Sequence, residues 1–111
     1  MIARIWRATA SHAKASAYHR HFAEKVVMHL EVIAGYEGAS LLQREVDGGV
    51  EFLAVTLWKS VDCIRAFAGP DPAVAVVDPE AQAVLTTFDR TVHNYEVVFT
   101  DDRSQRDDHH P

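Results

Sequence analysis

One strand constrains this chain more than any other segment. Residues 50–58, Val-Glu-Phe-Leu-Ala-Val-Thr-Leu-Trp, follow an Asp47-Gly48-Gly49 turn and are largely apolar on both faces. Side chains alternate across a strand, so Glu51, Leu53, Val55 and Leu57 point one way, and Phe52, Ala54, Thr56 and Trp58 the other. Such a strand must be covered on both sides. A chain of 111 residues can cover one side with its own helices. The other side calls for a second copy, which predicts a homodimer with a pocket under the helices.

The rest of the chain supplies the neighbours. Residues 2–7 alternate and are β-prone, giving a first strand. Ser11 is placed to cap a helix starting near His12. Tyr18, Phe22, Val26, Leu30 and Ile33 recur at helical spacing, and Gly35 ends that helix. Residues 39–46 and 50–58 form a hairpin whose turn glycines supply positive φ. Ser60 caps a helix over 61–68, with Asp62 facing its positive dipole end. Gly69-Pro70 and Asp71-Pro72 break the chain. Residues 73–77 are too short an apolar run to type. Asp78-Pro79-Glu80 starts another helix, with Ala83, Val84 and Phe88 on it and an end near Asp89. Residues 92–99 make strand four. The order β-α-β-β-α-β predicts an α+β, ferredoxin-like fold: a four-stranded antiparallel sheet with helices on one face. One domain spans 1–100, and the polar stretch 101–111 reads as a frayed tail.

Composition removes several function classes. The formal net charge is -5, so no basic field exists to attract nucleic acid or an anionic membrane. No run of about 18 apolar residues could span a bilayer, and the N-terminus lacks a signal-peptide pattern. The single cysteine, Cys63, cannot form an internal disulfide, which fits a cytoplasmic location.

Gly35-Tyr36-Glu37-Gly38, Leu41-Leu42 and Arg44, the 52–58 strand running into Trp58-Lys59-Ser60, Ile64 to Phe67, and Tyr95-Glu96-Val97 together carry a resemblance. Over about residues 1–99 the chain resembles the antibiotic biosynthesis monooxygenase family of the dimeric α/β-barrel superfamily. The resemblance implies sheets packed back to back in a dimer and a pocket in each subunit between sheet and helices. Some members oxygenate aromatic polyketides without metal or flavin, similar relatives bind haem and open its ring, and others have no known activity. Haem-degrading relatives pair a strand-one asparagine with a tryptophan and a later histidine. Trp58 matches the tryptophan. The other two positions fall near Trp6 and near Phe67 or Ala68, so the haem chemistry lacks two of its residues here.

Each candidate side chain has two readings. Trp58 could wall a flat ligand and donate its indole N–H, or be a core residue. Tyr18, His21, Phe22 and Lys25 share one side of the first helix, where His21 could act as a base near neutrality or simply sit at the surface. His19 and His21 are about 200° apart on a helix and cannot share a metal. No closed metal site has the right spacing, and His109 and His110 in the tail could at most take up stray divalent ions. His93 and Tyr95 share one side of strand four; they line the pocket or the dimer seam. Arg4 could hold a carboxylate or enolate oxygen, or bridge to Glu45 or Glu96. Cys63 reads as a small buried residue. No nucleotide-binding or serine-hydrolase pattern is present.

The expectation is a cofactor-independent monooxygenase that holds a small, hydrophobic aromatic or quinonoid molecule. His21, Tyr18 and His93 would provide the chemistry, and Phe22, Trp58, Phe67, Tyr95 and Arg4 the binding surface. The alternative is a non-catalytic protein of the same fold that binds a small molecule or haem.

Overall fold

The computed structural model describes residues 1–103. Strand β1 (Ile2–Ala10) leads into helix α1 (His12–His21), a π-helical turn (Phe22–Val26) and helix α2 (Val27–Glu31). The hairpin of β2 (Tyr36–Val46) and β3 (Gly49–Trp58) follows, then α3 (Val61–Ala68), α4 (Pro79–Val84), β4 (Thr87–Phe88) and β5 (His93–Glu96). All pairings are antiparallel. The order is β2-β3-β1, with β4 and β5 both on the free edge of β1. The α+β ferredoxin-like fold is as expected. Among the described residues no helix is long and apolar enough to cross a membrane. The polar stretch, with His109 and His110, falls mostly outside the described residues.

The first helical rod owes its shape to its apolar stripe. Tyr18, Phe22, Val26 and Leu30 are four residues apart, and four residues advance a regular α-helix by about 400°, so the stripe would drift by about 40° per step. The wider turn at Phe22–Val26, where the Val27 N–H reaches Phe22 O, takes up part of that drift. Tyr18, Phe22 and Leu30 are consequently all buried on the sheet. Ser11 stands at the N-terminus with extended backbone but makes no side-chain cap; its carbonyl accepts from the Lys14 and Ala15 N–H groups instead.

Several boundaries differ from expectation. β1 runs on to Ala10 because it pairs with β3 along its whole length. β2 begins at Tyr36, three residues early, past an irregularity at Gly38. Gly35 does mark the end of the rod's connection: its φ is +91°, and a Cβ there would fall 2.2 Å from Cys63 Sγ. Ser60 and Asp78 cap as expected, accepting from the Cys63 and Ala81 N–H groups. Helix α4 ends at Val84 rather than near Asp89. Leu85 turns extended, the Thr86 N–H donates to Thr9 O at 2.7 Å, and Phe88 pairs with Ala8. Pairing with the open edge of β1 thus outweighs another helical turn. β4 is thus an extra short strand, and the strand expected over 92–99 is β5, which stops at Glu96.

The helices cover one face of the sheet. Beneath them Ala8, Phe52, Trp58 and Ile64 have no accessible surface. Two apolar clusters lie side by side there, one around Tyr18, Phe22 and Phe52 and one around Leu30, Trp58 and Ile64.

Candidate functional site

The strand register decides what can face the helices. Ile2, Arg4, Trp6, Ala8 and Ala10 alternate to the helix side of β1, as do Phe52, Ala54, Thr56 and Trp58 on β3. Asn94 pairs with Arg4, whereas His93 pairs with Ile5 and Tyr95 with Ala3. His93 and Tyr95 therefore lie on the open face of the sheet, away from the helices, and both are exposed. This register keeps them out of the pocket.

Two adjoining hollows lie between sheet and helices. The inner one, about 60 Å³, has Arg4, Ala54 and Thr56 on its floor, Tyr18, Phe22 and Val26 on its helical wall, and Phe67, Val76 and Val77 over it. The outer cleft, about 650 Å³, is bounded by His21, Lys25 and His29 on the rod, Phe67 on α3, and Val76, Asp78 and Glu80 opposite. Val26, Phe67, Val76 and Asp78 border both. The outer volume is of the size that small-molecule sites use, and the inner one admits only a small group.

The segment between α3 and α4 forms a strap over this hollow. Its backbone is held from below: the Arg4 guanidinium donates to Pro72 O and to Val74 O (2.6 Å), and Asn94 Nδ2 donates to Pro72 O at 3.0 Å. Main-chain bonds from Ala75 N to Arg90 O and from Val92 N to Ala73 O hold its side. Arg4 thus bridges neither to Glu45 nor to Glu96. It is buried, its pKa falls to about 10 through desolvation, and its Cζ lies 5.7 Å from the centre of the Phe67 ring.

His21 closes the strap's far end. Its Nε2 lies 2.9 Å from Asp78 Oδ2 and its Nδ1 3.1 Å from Glu80 Oε2. Carboxylates only accept, so both contacts are hydrogen bonds when the ring carries both N–H groups. Asp78 is the inner partner, and Glu80, largely exposed, the outer one. Burial alone would push the Asp78 carboxyl up, but the Ala81 N–H, His21 and the Glu80 N–H outweigh it and hold it below its ordinary value. Tyr18 moves the other way. Burial and then the Asp78 charge push its pKa far above that of a free phenol, so it stays a neutral hydroxyl donor.

Of the sequence candidates, the fold brings Arg4, Tyr18, His21, Phe22 and Phe67 around the hollow. Trp58 lies behind it: its ring stacks on Phe67 at 6.1 Å, and its indole N–H donates to Thr56 Oγ1 at 2.9 Å. Asp78, Glu80, His29, Thr56 and Val76 were not singled out for the site. Asp78 carried a visible signal, but as a helix cap; nothing local links it to a histidine 57 residues earlier. Among the described residues no cluster of three or more His, Cys, Asp or Glu could hold a metal ion.

No protein-family model matches the sequence, and no curated protein matches it closely enough to count. Solved structures do. A candidate antibiotic biosynthesis monooxygenase from Bacillus cereus superposes with a TM-score of 0.64 at 15% identity, covering 91% of this chain and 94% of that one. The haem degrader MhuD from Mycobacterium tuberculosis, with two haems in its active site, gives 0.60 at 26% identity, covering 91% and 99%. A MhuD variant with two manganese protoporphyrin IX molecules per active site gives 0.59 at 24%, covering 91% and 98%. The chain therefore has the fold shared by the antibiotic biosynthesis monooxygenases and the MhuD haem degraders, that of the dimeric α/β-barrel proteins.

Proposed function

We propose that this protein is a cofactor-independent monooxygenase that takes a small planar aromatic or quinonoid molecule into the cleft. The observation that carries this reading is the pairing of a ligand-sized, largely apolar cleft with two polar stations, Tyr18 inside and His21 at the mouth. The ring system would lie along Phe67 and Val76, and the Tyr18 hydroxyl would donate to a substrate oxygen.

The chemistry suits a substrate with a methylene flanked by aromatic rings and a carbonyl, as in an anthrone. His21, swung free of the exposed Glu80 and still oriented by Asp78, takes a proton from that carbon. The carbanion, delocalised as an enolate, adds to O2 and gives a peroxide anion. That anion takes a proton, the remaining C–H proton leaves with loss of water, and a ketone remains. The balance is CH2 + O2 → C=O + H2O, with no further reductant.

Self-association belongs to the same reading. The open sheet face carries Ile5, Leu42, Leu53, Val55, Leu57 and Tyr95, an apolar surface that a second copy would cover. Arg7 and Arg44 flank Glu51 at its edge, each at 2.6 Å, and hold that carboxylate below its ordinary pKa.

The porphyrins in two of the similar structures raise haem as another occupant. A ligated haem needs an imidazole nitrogen aimed into the hollow. The inner cavity has none; His21, held by Asp78, and the exposed His29 both line the outer cleft instead. The inner cavity does not fit a histidine-ligated haem, and hemin is expected to give no shifted Soret band of axial ligation.

Oxygen uptake with anthrone tests the proposal. Wild-type protein should consume one O2 per anthrone, and His21→Ala should slow turnover by about 10²–10⁴-fold while binding changes little. Binding without uptake would instead mark a carrier.

A further inference from the structure

The inner cavity contains a charge that no carboxylate among the described residues neutralises. Arg4 is 4% exposed, and no carboxylate among the described residues pairs with it. Two of its N–H groups serve the neutral carbonyls of Pro72 and Val74. A guanidinium has five, so donors remain. A buried charge without a counter-ion is costly, and fixed charges left in this state suit an arriving opposite charge. Desolvation lowers its pKa only to about 10, so Arg4 remains a cation at neutral pH. The carboxylate on the cavity wall, Asp78, is committed to the Ala81 N–H and to His21. Tyr18, which lines the same cavity, is a buried neutral hydroxyl whose oxygen makes no hydrogen bond to another described residue. At about 60 Å³ the space between them admits an oxygen substituent and excludes a ring system.

We propose that Arg4 and Tyr18 form an oxyanion subsite, so that the ligand is an aromatic molecule with an acidic oxygen, bound as its anion. The ring occupies the outer cleft against Phe67, and the charged oxygen enters the inner cavity. This inference rests on the cleft being the small-molecule site proposed above. It adds that the site selects ionised over neutral aromatics and makes what it binds a stronger acid. Arg4 is then a specificity residue, and the charge it offers also favours the enolate on which the proposed oxygen chemistry depends.

The test uses 4-nitrophenol, whose phenolate is yellow and whose ionisation can be read while bound. With wild-type protein, the apparent pKa of bound nitrophenol should fall by about one to three pH units relative to the free phenol, as an adjacent opposite charge requires. Arg4→Gln should abolish that fall, and Arg4→Lys, which keeps the charge, should retain most of it. Arg4 also holds the strap, so circular dichroism and thermal unfolding check that each variant is folded. The wild-type measurement decides even if Arg4→Gln does not fold. No binding, or a bound pKa equal to or above the free value, overturns the proposal. So does a folded Arg4→Gln that titrates like wild type. The outcome is separable from oxygen uptake. Anionic binding without turnover leaves this inference standing and removes the oxygenase. Turnover of anthrone with no shift in bound nitrophenol does the reverse.

Discussion

On the helix side of β3, Phe52 and Trp58 have no accessible surface. One residue along the same strand, Leu53, Val55 and Leu57 keep part of theirs, and Leu42, the β2 partner of Leu53, is 50% exposed. The composition of the two faces hardly differs; what differs is the cover. The inner face is completed by the rod, by α3 and by the strap, all within one chain. The outer face carries the edge cluster of Arg7, Glu51 and Arg44. A sheet of this kind divides its labour: one face is closed well enough to leave a hollow of defined shape, and the other stays open.

The inner face should respond most strongly to substitution. Phe52→Ala removes a fully buried ring that packs 5.1 Å from Tyr18. It should cost about 3–5 kcal/mol of folding stability, read as a lower urea midpoint at unchanged slope. An outer-face change should act on association instead. Val55→Asp puts a carboxylate at the centre of the open face, between Ser40 and Ile5. It should weaken a dimer by about 100-fold or more while the chain stays folded. Light scattering should then fall from about 25 kDa to the 12.4 kDa of one chain. A wild-type protein that is already monomeric would refute the partner-covered face.

The smallest effect concerns the strap's anchor and has a sign fixed by Asp78. Its carboxyl is held below the ordinary value in the folded chain. The resulting stability is present above the unfolded carboxyl pKa and is lost as pH falls through the folded one. Asp78→Asn keeps a good helix cap but no titrating group. Between about pH 5 and pH 2 the wild type should therefore lose more stability than the variant, and at pH 7 the two should differ by under about 1 kcal/mol. Urea midpoints across that range check it. Equal acid sensitivity would mean that the anchor carries no charge effect.

The local parts of this molecule were legible in the sequence. Ser60 and Asp78-Pro79 announce helix starts through their own backbone partners three residues on. The alternation in 50–58 shows that both faces of β3 need cover. What the sequence concealed was long-range. Phe88 fits a helical spacing, yet it pairs with Ala8, eighty residues away in the chain. The facing of His93 and Tyr95 depends on their register with β1, which no local pattern states. Trp58, an evident candidate for a pocket wall, is screened by Phe67, because α3 folds back over the end of β3. The hold of Arg4 on the strap joins a strand to a loop through carbonyls, groups that every residue possesses and no side-chain pattern reveals.

Amide chemical-shift mapping during titration with 2-naphthol probes the division between the faces most directly. The account predicts perturbations at Tyr18, Val26, Thr56, Phe67 and Val76, with Leu42, Leu53 and Tyr95 unmoved. Perturbations confined to the open sheet face, or none at a saturating concentration, would contradict it.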